Sequence, residues 1–389
     1  MKILFLARQL NIGGAERQLV TLANELASRG HEIVIAEYYP GGALSKKLDP
    51  RVRLISLGKR SRWDLLSLYI RAMRILRQER PHVFHGWMDT QNLVATLVRI
   101  FYPKARLFWS VRCSDLEMVN DWLETLQEWL QCRLSRFADC IVVNSVAGLE
   151  LSVSRGIPRE KLTHIPNGID TNMFYPDPEA GKRVRRDWGI SDSKKVIGNV
   201  ARFDPIKNHP LFLKAAARIA AERPEVRFVC VGHGEAAYLK ELRNLTRTLE
   251  IESKVRWVLS GPDVMRGVYN ALDVFCSSSF SEGFPNVIGE AMACGRRCVV
   301  TDAGDSRLVL GYTGTVVPSD DLEAFTYGLR RELDAGDSLN QRARQRILDN
   351  FTVTHLGDKT EHALFRHSTE RHLPVARVHV AERTGAREV

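Results

Sequence analysis

Two doubly wound, Rossmann-like α/β units in tandem, facing each other across a cleft, are the fold the sequence predicts. Three observations predict it. Short apolar runs of β character alternate with amphipathic helical runs, the pattern of parallel strands joined by crossover helices. The alternation breaks once, around residues 157–195, and then restarts. The length of 389 residues suits two domains with separate cores. Ligands of open parallel sheets sit at the C-terminal strand edges, so two facing units imply a site between them.

In the first half the predicted strands are KILFLA (2–7), EIVIAEY (32–38), VRLISL (52–57), HVFH (82–85), RLFWSV (106–111) and CIVVNS (140–145). Helical stretches fall between them, among them 15–28 and 117–137, and the segment from Ala138 reads as the last strand of this unit. Residues 157–195 hold the Pro and Gly punctuation of IPRE, IPNGID and FYPDPEAGK and read as linker. The second unit runs KVIGNVA, a helix over 208–222, VRFVCVG, a helix over 235–249, VRWVL and a short helix. DVFCSS, a helix from about Pro285 and RCVVTD follow. The pairs Leu211/Phe212, Ala215/Ala216 and Ile219/Ala220 give the 208–222 helix a stripe suited to a sheet face. The tail from about Ser368 has no clear period and is expected to be poorly ordered.

Composition narrows the function. Hydrophobic residues make 44% and charged residues 26%, which argues against disorder. No apolar run approaches the roughly 20 residues of a membrane-spanning helix. The start, MKILFLARQLNIGGAE, is too short in its apolar part for a secretory signal. The cysteines lack zinc-ribbon spacing, and Cys294 and Cys298 read as small buried residues. A reduced, cytoplasmic protein is the expectation. Net charge is +10, and residues 51–80 hold nine basic against two acidic side chains. Arginines fall at every third position from 71 to 80, interleaved with Leu65, Leu66, Tyr69, Ile70, Met73 and Leu76. This is either a solvated helix face or a surface for the anionic inner face of a cytoplasmic membrane, to which the protein would attach peripherally. No nucleic-acid-binding signature accompanies it, so no nucleic-acid partner is expected.

Three motifs carry chemistry. Asn11-Ile-Gly-Gly-Ala-Glu16 follows the first strand. Gly13 and Gly14 let backbone N–H groups approach an anion at a helix N-terminus, although a plain tight turn would look the same. The spacing is not that of a dinucleotide fingerprint. Arg202 and Lys207 share one loop between a strand and a helix, and two cations there suit a diphosphate. The strongest motif runs from Ser278 to Gly295. Glu282 lies in a loop and Glu290 early in the next helix. The N–H groups of Phe284, Asn286 and Val287, around Pro285, are free to meet phosphate or sugar oxygens. Ionised glutamates accept from polyol hydroxyls, but two glutamates near a helix start also serve as caps and dipole partners.

With these motifs in this order, the chain resembles glycosyltransferase family 4, the retaining, nucleotide-sugar-dependent enzymes of the GT-B fold. The resemblance covers about residues 1–350 and includes IPNGID (165–170) and Val231-Gly-His-Gly-Glu235. It implies that Gly13 and Gly14 back the donor sugar-phosphate, while Arg202 and Lys207 neutralise the diphosphate. It implies further that Glu282 meets sugar hydroxyls near the anomeric carbon, with N–H groups at 284–287 beside it. Glu290 would accept from the ribose, Gly232 would belong to the donor site, and the base would lie along residues 257–264. His85 would stand beside the donor sugar. Trp87 and Arg112, and more weakly Asp89 and Asp115, are acceptor candidates at strand ends.

Departures are His233, Gly295-Arg-Arg-Cys298 and Gly304-Asp305; His233 and Asp305 put donor identity in question. The expected domains are 1–170 for the acceptor, 171–352 for the nucleotide sugar, a helix over 353–367 crossing back, and the tail 368–389. Hinges are expected at about 167–178 and near the crossing helix. No Asp-x-Asp pair stands out, so the two cations are expected to serve in place of a metal, with no cofactor beyond the donor as co-substrate. The partners implied are a nucleotide-sugar donor and a saccharide, glycolipid or other hydroxyl acceptor, in surface polysaccharide or glycolipid synthesis. A sugar-nucleotide epimerase or hydrolase of the same fold, or a non-enzymatic membrane-associated binding protein, are the competing readings.

Overall fold

A computed structural model describes residues 1–61, 63–112, 122–259, 265–336 and 338–369. The first unit runs β1 (Lys2–Ala7), α1 (Gly14–Ser28), β2 (Glu32–Glu37), β3 (Arg53–Ser56), α2 (Leu65–Glu79) and β4 (Val83–Trp87). It continues through α3 (Asp89–Arg99), β5 (Arg106–Val111), α4 (Trp122–Leu134), β6 (Cys140–Val143), α5 (Val146–Ser154) and β7 (Leu162–His164). Its seven strands pair in the order β3-β2-β1-β4-β5-β6-β7, and every described pairing is parallel. Ile3 and Phe5 pack on one face of the sheet, Leu4 and Leu6 on the other. A strand covered by helices on both sides reads as one unbroken apolar run, which is why KILFLA and RLFWSV were legible to the residue.

The second unit begins with α6 (Pro178–Asp187) and β8 (Lys195–Val200), then α7 (His209–Glu222), β9 (Val226–Gly232), α8 (Ala236–Thr248) and β10 (Val255–Leu259). There follow α9 (Met265–Val268), β11 (Val274–Ser277), α10 (Asn286–Ala293), β12 (Arg297–Thr301), α11 (Ser306–Leu310) and β13 (Thr315–Val317). The chain closes with α12 (Leu322–Asp334), α13 (Gln341–Asn350) and α14 (Val353–Thr369). Its sheet has the order β10-β9-β8-β11-β12-β13. Both sheets therefore place their first strand, β1 or β8, at an interior position with the strand order reversing beside it. Loops after β1, β4, β8 and β11 open at that reversal, where a ligand is expected.

Residues 157–195 are not a structureless linker. Leu162–His164 adds β7 to the first sheet, and α6 starts at Pro178 behind an Asp177 cap that accepts the N–H of Ala180 at 2.9 Å. Within this stretch the chain crosses to the second unit, and it crosses back at 351–353. The two crossings run side by side: Ile169 donates its N–H to the carbonyl of Phe351 at 2.7 Å and bridges Thr352. Helix α14 then lies on α1, putting Leu356, Ala363 and Leu364 in the core of the first unit. Arg29 grips it through Asp358 and Glu361, both at 2.7 Å. Of the predicted 117–137 stretch, α4 covers Trp122–Leu134 and a 3₁₀ turn covers Ser135–Phe137; residues 117–121 and the tail beyond Thr369 lie outside the described residues.

Candidate active site

The mouths of the two sheets enclose a cleft of about 950 Å³. Gly13, Gly14, Arg112, Arg202, Lys207, Gly232, Glu282, Phe284, Pro285, Asn286, Val287 and Glu290 all line it, so most of the residues singled out by motif come together.

Glu282 follows β11 in a loop pinned by several bonds. Its Oε1 accepts Lys207 Nζ at 2.7 Å and the Ser279 hydroxyl at 2.6 Å. Lys207 ends a short 3₁₀ turn, Pro205–Lys207, and Ser278 caps its carbonyl at 2.9 Å. Asn208 then enters α7 with φ +44°, a left-handed conformation that asparagine tolerates. Arg202 is paired with Asp204 at 2.7 Å and stays more than half exposed at the cleft wall. Pro285 is the N-cap of α10, and the N–H groups of Phe284, Asn286 and Val287 have no partner among the described residues. A cation, a carboxylate and three free donors therefore face one space.

Glu290 sits one turn into α10 and is buried. Tyr269 donates its hydroxyl at 2.6 Å, and Arg17 of α1 pairs with the other oxygen at 2.9 Å. Burial first, and the Glu290 charge second, push the Tyr269 hydroxyl well above its ordinary range, so it stays a donor. Neither glutamate caps α10: one is bound to Lys207, the other to Tyr269 and Arg17. Arg17, missed in the sequence reading, brings the opposite domain onto Glu290. Gln18, one residue on, exchanges bonds with the backbone of Gly168 at 2.9 and 3.1 Å and donates to Asn286 at 3.4 Å. Asn167 adds a bond to Asn286 at 2.9 Å. A Cβ on Gly14 would stand 3.4 Å from Asn286 Nδ2, so the two helix starts nearly touch.

Two expectations need correction. His85 does not face the cleft. It is 3% exposed, shares a 2.9 Å hydrogen bond with the Ser110 hydroxyl, and stacks on Phe5 at 5.1 Å. Burial, aided by the charge of Arg112, lowers it to about 3. Every residue of β4 is buried, so a histidine inside that strand becomes core. Trp87 is likewise buried and gives its indole N–H to Ala15 O at 3.1 Å, bracing the start of α1. Arg112 does line the cleft. It stacks 3.8 Å above the Trp87 ring and donates to Asn167 at 2.7 Å, and burial lowers it to about 9. It pairs with no carboxylate among the described residues.

Asp89 opens α3 away from the lining, and Asp115 lies outside the described residues. His233 lines the cleft, whereas Asp305 is not among its lining residues and turns its carboxylate toward α5. Of the expected base site, Trp257 packs against Phe203 at 5.6 Å, and residues 260–264 lie outside the described residues.

Two facing Rossmann-like domains with a cleft between their strand ends are the GT-B architecture, and the comparisons with known proteins make the chain a glycosyltransferase of that fold. Residues 12–173 match the family model described as Glycosyltransferase Family 4, and residues 194–334 the one described as Glycosyl transferases group 1. The protein EpsF of Bacillus subtilis (strain 168), whose name assigns it to the glycosyltransferases, is 32% identical over 314 residues, 78% of this chain and 79% of its own. An Escherichia coli UDP-Gal:alpha-D-GlcNAc-diphosphoundecaprenol alpha-1,3-galactosyltransferase is 26% identical over 348 residues, covering 82% of this chain and 85% of the enzyme. The structure of Anabaena HepE with UDP-glucose superposes with a TM-score of 0.82 at 21% identity, over 94% of this chain and all of that one. The chain belongs to glycosyltransferase family 4.

Proposed function

We propose that this glycosyltransferase moves a sugar, with net retention, from a nucleotide-diphosphate sugar to a hydroxyl of a saccharide or glycolipid acceptor. The observation that carries the reading is the meeting of Lys207, Glu282 and the unpartnered N–H groups of Phe284, Asn286 and Val287 at one cleft wall, opposite Gly13 and Gly14. In this reading the bond from the anomeric carbon to the diphosphate breaks, and the charge that grows there is met by Lys207, Arg202 and the start of α10. Donors fixed in place before reaction cost no reorganisation, which makes such stabilisation a large part of catalysis. The two cations do the neutralising that a divalent ion would otherwise supply, so turnover should survive a chelator. Glu282 holds donor-sugar hydroxyls, and Glu290, through the mouth that Arg17 occupies, accepts from the ribose. A second carboxylate placed as a nucleophile is not needed: the acceptor oxygen attacks from the face the diphosphate leaves, and its proton passes to the departing phosphate oxygen.

Arg112 is the acceptor-side residue in this reading, and Trp87 supports it from below. A lipid-linked acceptor, as the name of the Escherichia coli relative implies for that enzyme, fits the surface of α2. Leu65 and Leu66 are exposed there beside Trp63, which is 78% exposed. Arg74, Arg77 and Arg80 line a shallow depression with Ile70 and Met73. The buried stripe of α2 is Leu68, Ala72 and Leu76, which leaves Leu65, Leu66 and Ile70 outward while Met73 packs partly on the core. Arg71 is not part of that stripe, because Asp64 holds it at 2.8 Å. Peripheral attachment to anionic lipid follows, at about 1 kcal/mol for each basic side chain near the surface.

The test is a thermal-shift screen over UDP-, GDP- and dTDP-sugars, followed by anomeric analysis of the product. One sugar nucleotide should raise the melting temperature selectively, and the product should keep the donor's anomeric configuration. An inverted product removes retention; no shift with any donor removes the reading. Co-sedimentation with vesicles containing phosphatidylserine should fall at high salt and in Trp63→Glu/Leu66→Glu; unchanged binding in both would remove the membrane surface.

A further inference from the structure

Asp305 has no part in the donor chemistry above, yet it is 3% exposed and charged, and it reaches into the other domain. One carboxylate oxygen accepts the N–H of Val146 at 2.9 Å and the other that of Ala147 at 3.1 Å. These are the first two N–H groups of α5. The third, that of Gly148, goes to the Ser145 hydroxyl at 3.0 Å. Of these three N–H groups, two are thus capped from the opposite domain and one from α5's own. Two charge-assisted bonds at the positive end of a helix offset the desolvation of the carboxylate. His164 adds a nitrogen 3.9 Å away.

The backbone of the same turn holds the Glu282 loop. Asp305 donates its N–H to the carbonyl of Gly283 at 3.1 Å. Gly304, at φ +51°, lies so close that a Cβ there would fall 1.7 Å from the carbonyl oxygen of Glu282. On its other side, a Cβ on Gly283 would stand 3.6 Å from both Asn144 Oδ1 and Ser145 Oγ. The Glu282–Gly283 peptide is therefore clasped between the 304–305 turn of its own domain and the start of α5 in the other.

We propose that Asp305 is a positioning residue that ties the placement of the two domains to the setting of Glu282. Its carboxylate registers α5, and its main chain passes that register to the Glu282 loop. The inference rests on the role given to Glu282 above, but one arm of its test does not.

Two variants probe the contact from opposite domains. Asp305→Ala removes the acceptor. Val146→Pro removes one donor from α5; proline is tolerated at the first helical position. Ser145 before it has φ −142° and ψ 153°, the extended backbone a residue preceding proline adopts. Hydrogen exchange followed by mass spectrometry should show faster exchange over residues 279–286 in both variants, although Val146 lies in the other domain. With the nucleotide sugar that the wild type turns over fastest, kcat should fall about tenfold in each. The double variant should be no slower than Asp305→Ala alone, and the affinity for UDP or GDP should stay within about twofold. Native exchange over 279–286 in Val146→Pro overturns the proposal. So does a variant pair that lowers only the melting temperature, or one that weakens nucleotide binding in step with turnover. If the wild type turns over no nucleotide sugar, the proposed function fails and the exchange arm alone decides this inference.

Discussion

Lys207 and Glu282 form an ion pair on the cleft wall, and each is expected to matter more for turnover than for folding. Lys207→Ala should lower kcat by about a hundredfold, since it removes a charge aimed at the leaving diphosphate, while the melting temperature moves little. Near-native kcat with the authentic donor would refute the diphosphate clamp. Arg17 differs: it touches Glu290 and is one-third exposed. Arg17→Ala should chiefly raise the donor KM, by loosening the carboxylate that Tyr269 then holds alone; a drop in kcat with KM unchanged would contradict that role. His85 belongs to the core, and its protonation gives a pH signature. It stays neutral in the folded protein down to about 3, whereas the unfolded chain takes up its proton near 6.5. Between those values the unfolded state binds more protons, so stability rises with pH through that window and is lost as pH falls. His209, lowered to about 4 by burial and by Lys207, acts in the same direction. His85→Gln should therefore shrink the drop in urea midpoint between about pH 7 and pH 5, with turnover kept within about threefold. A collapse of turnover would return the histidine to the catalytic machinery.

At the scale of elements, the working parts are two helix starts and the turns that approach them. Gly304 shows how tight the fit is, for alanine there would meet both a left-handed φ and the carbonyl of Glu282. Strain of about 1–3 kcal/mol from the backbone alone is expected to displace the Glu282 loop. Gly304→Ala should then cut turnover far more than it lowers the thermal midpoint; native turnover would show that the loop position is not critical. Elements were legible wherever burial on two faces left an unbroken apolar run, and the strand–loop–helix motifs stood out for the same reason. Short or polar elements were not. LTH offers three residues, too few for a period. PEAGKRVRRD carries almost no apolar stripe, though Asp177-Pro178 is a cap-and-proline start that could have revealed α6. Gly14, Arg17 and Gln18 share one face of α1, so a cleft-facing Gly14 already implied the other two. Asp305 and Asn167 had no such signal, because their partners lie 159 and 119 residues away and exist only in the assembled pair of domains.

For the whole molecule, the crossing at 351–353 makes the C-terminal helix part of the first domain's core rather than an appendage of the second. Leu356, Ala363 and Leu364 fill that core against α1. The edge is closed by Arg29 with Glu25, Asp358 and Glu361, and by His31 with Glu361 at 2.8 Å. Losing a single buried leucine side chain costs about 2–5 kcal/mol, against a total of about 5–15 kcal/mol for a domain. Ending the chain at Thr352 removes two leucines, an alanine and the ion-pair cluster at once, while the second sheet and its helices α6 to α13 stay whole. Such a chain should melt in two separate calorimetric steps: an early one from the first domain and a later one from the second. The later step should still move upward with the nucleoside diphosphate that stabilises the intact protein, because Lys207, Glu282, Glu290 and the start of α10 all remain in place. One cooperative transition at the native temperature would mean that α14 adds little to the first core. An early step that responds to nucleotide, with a late one that does not, would assign the diphosphate to the opposite wall of the cleft.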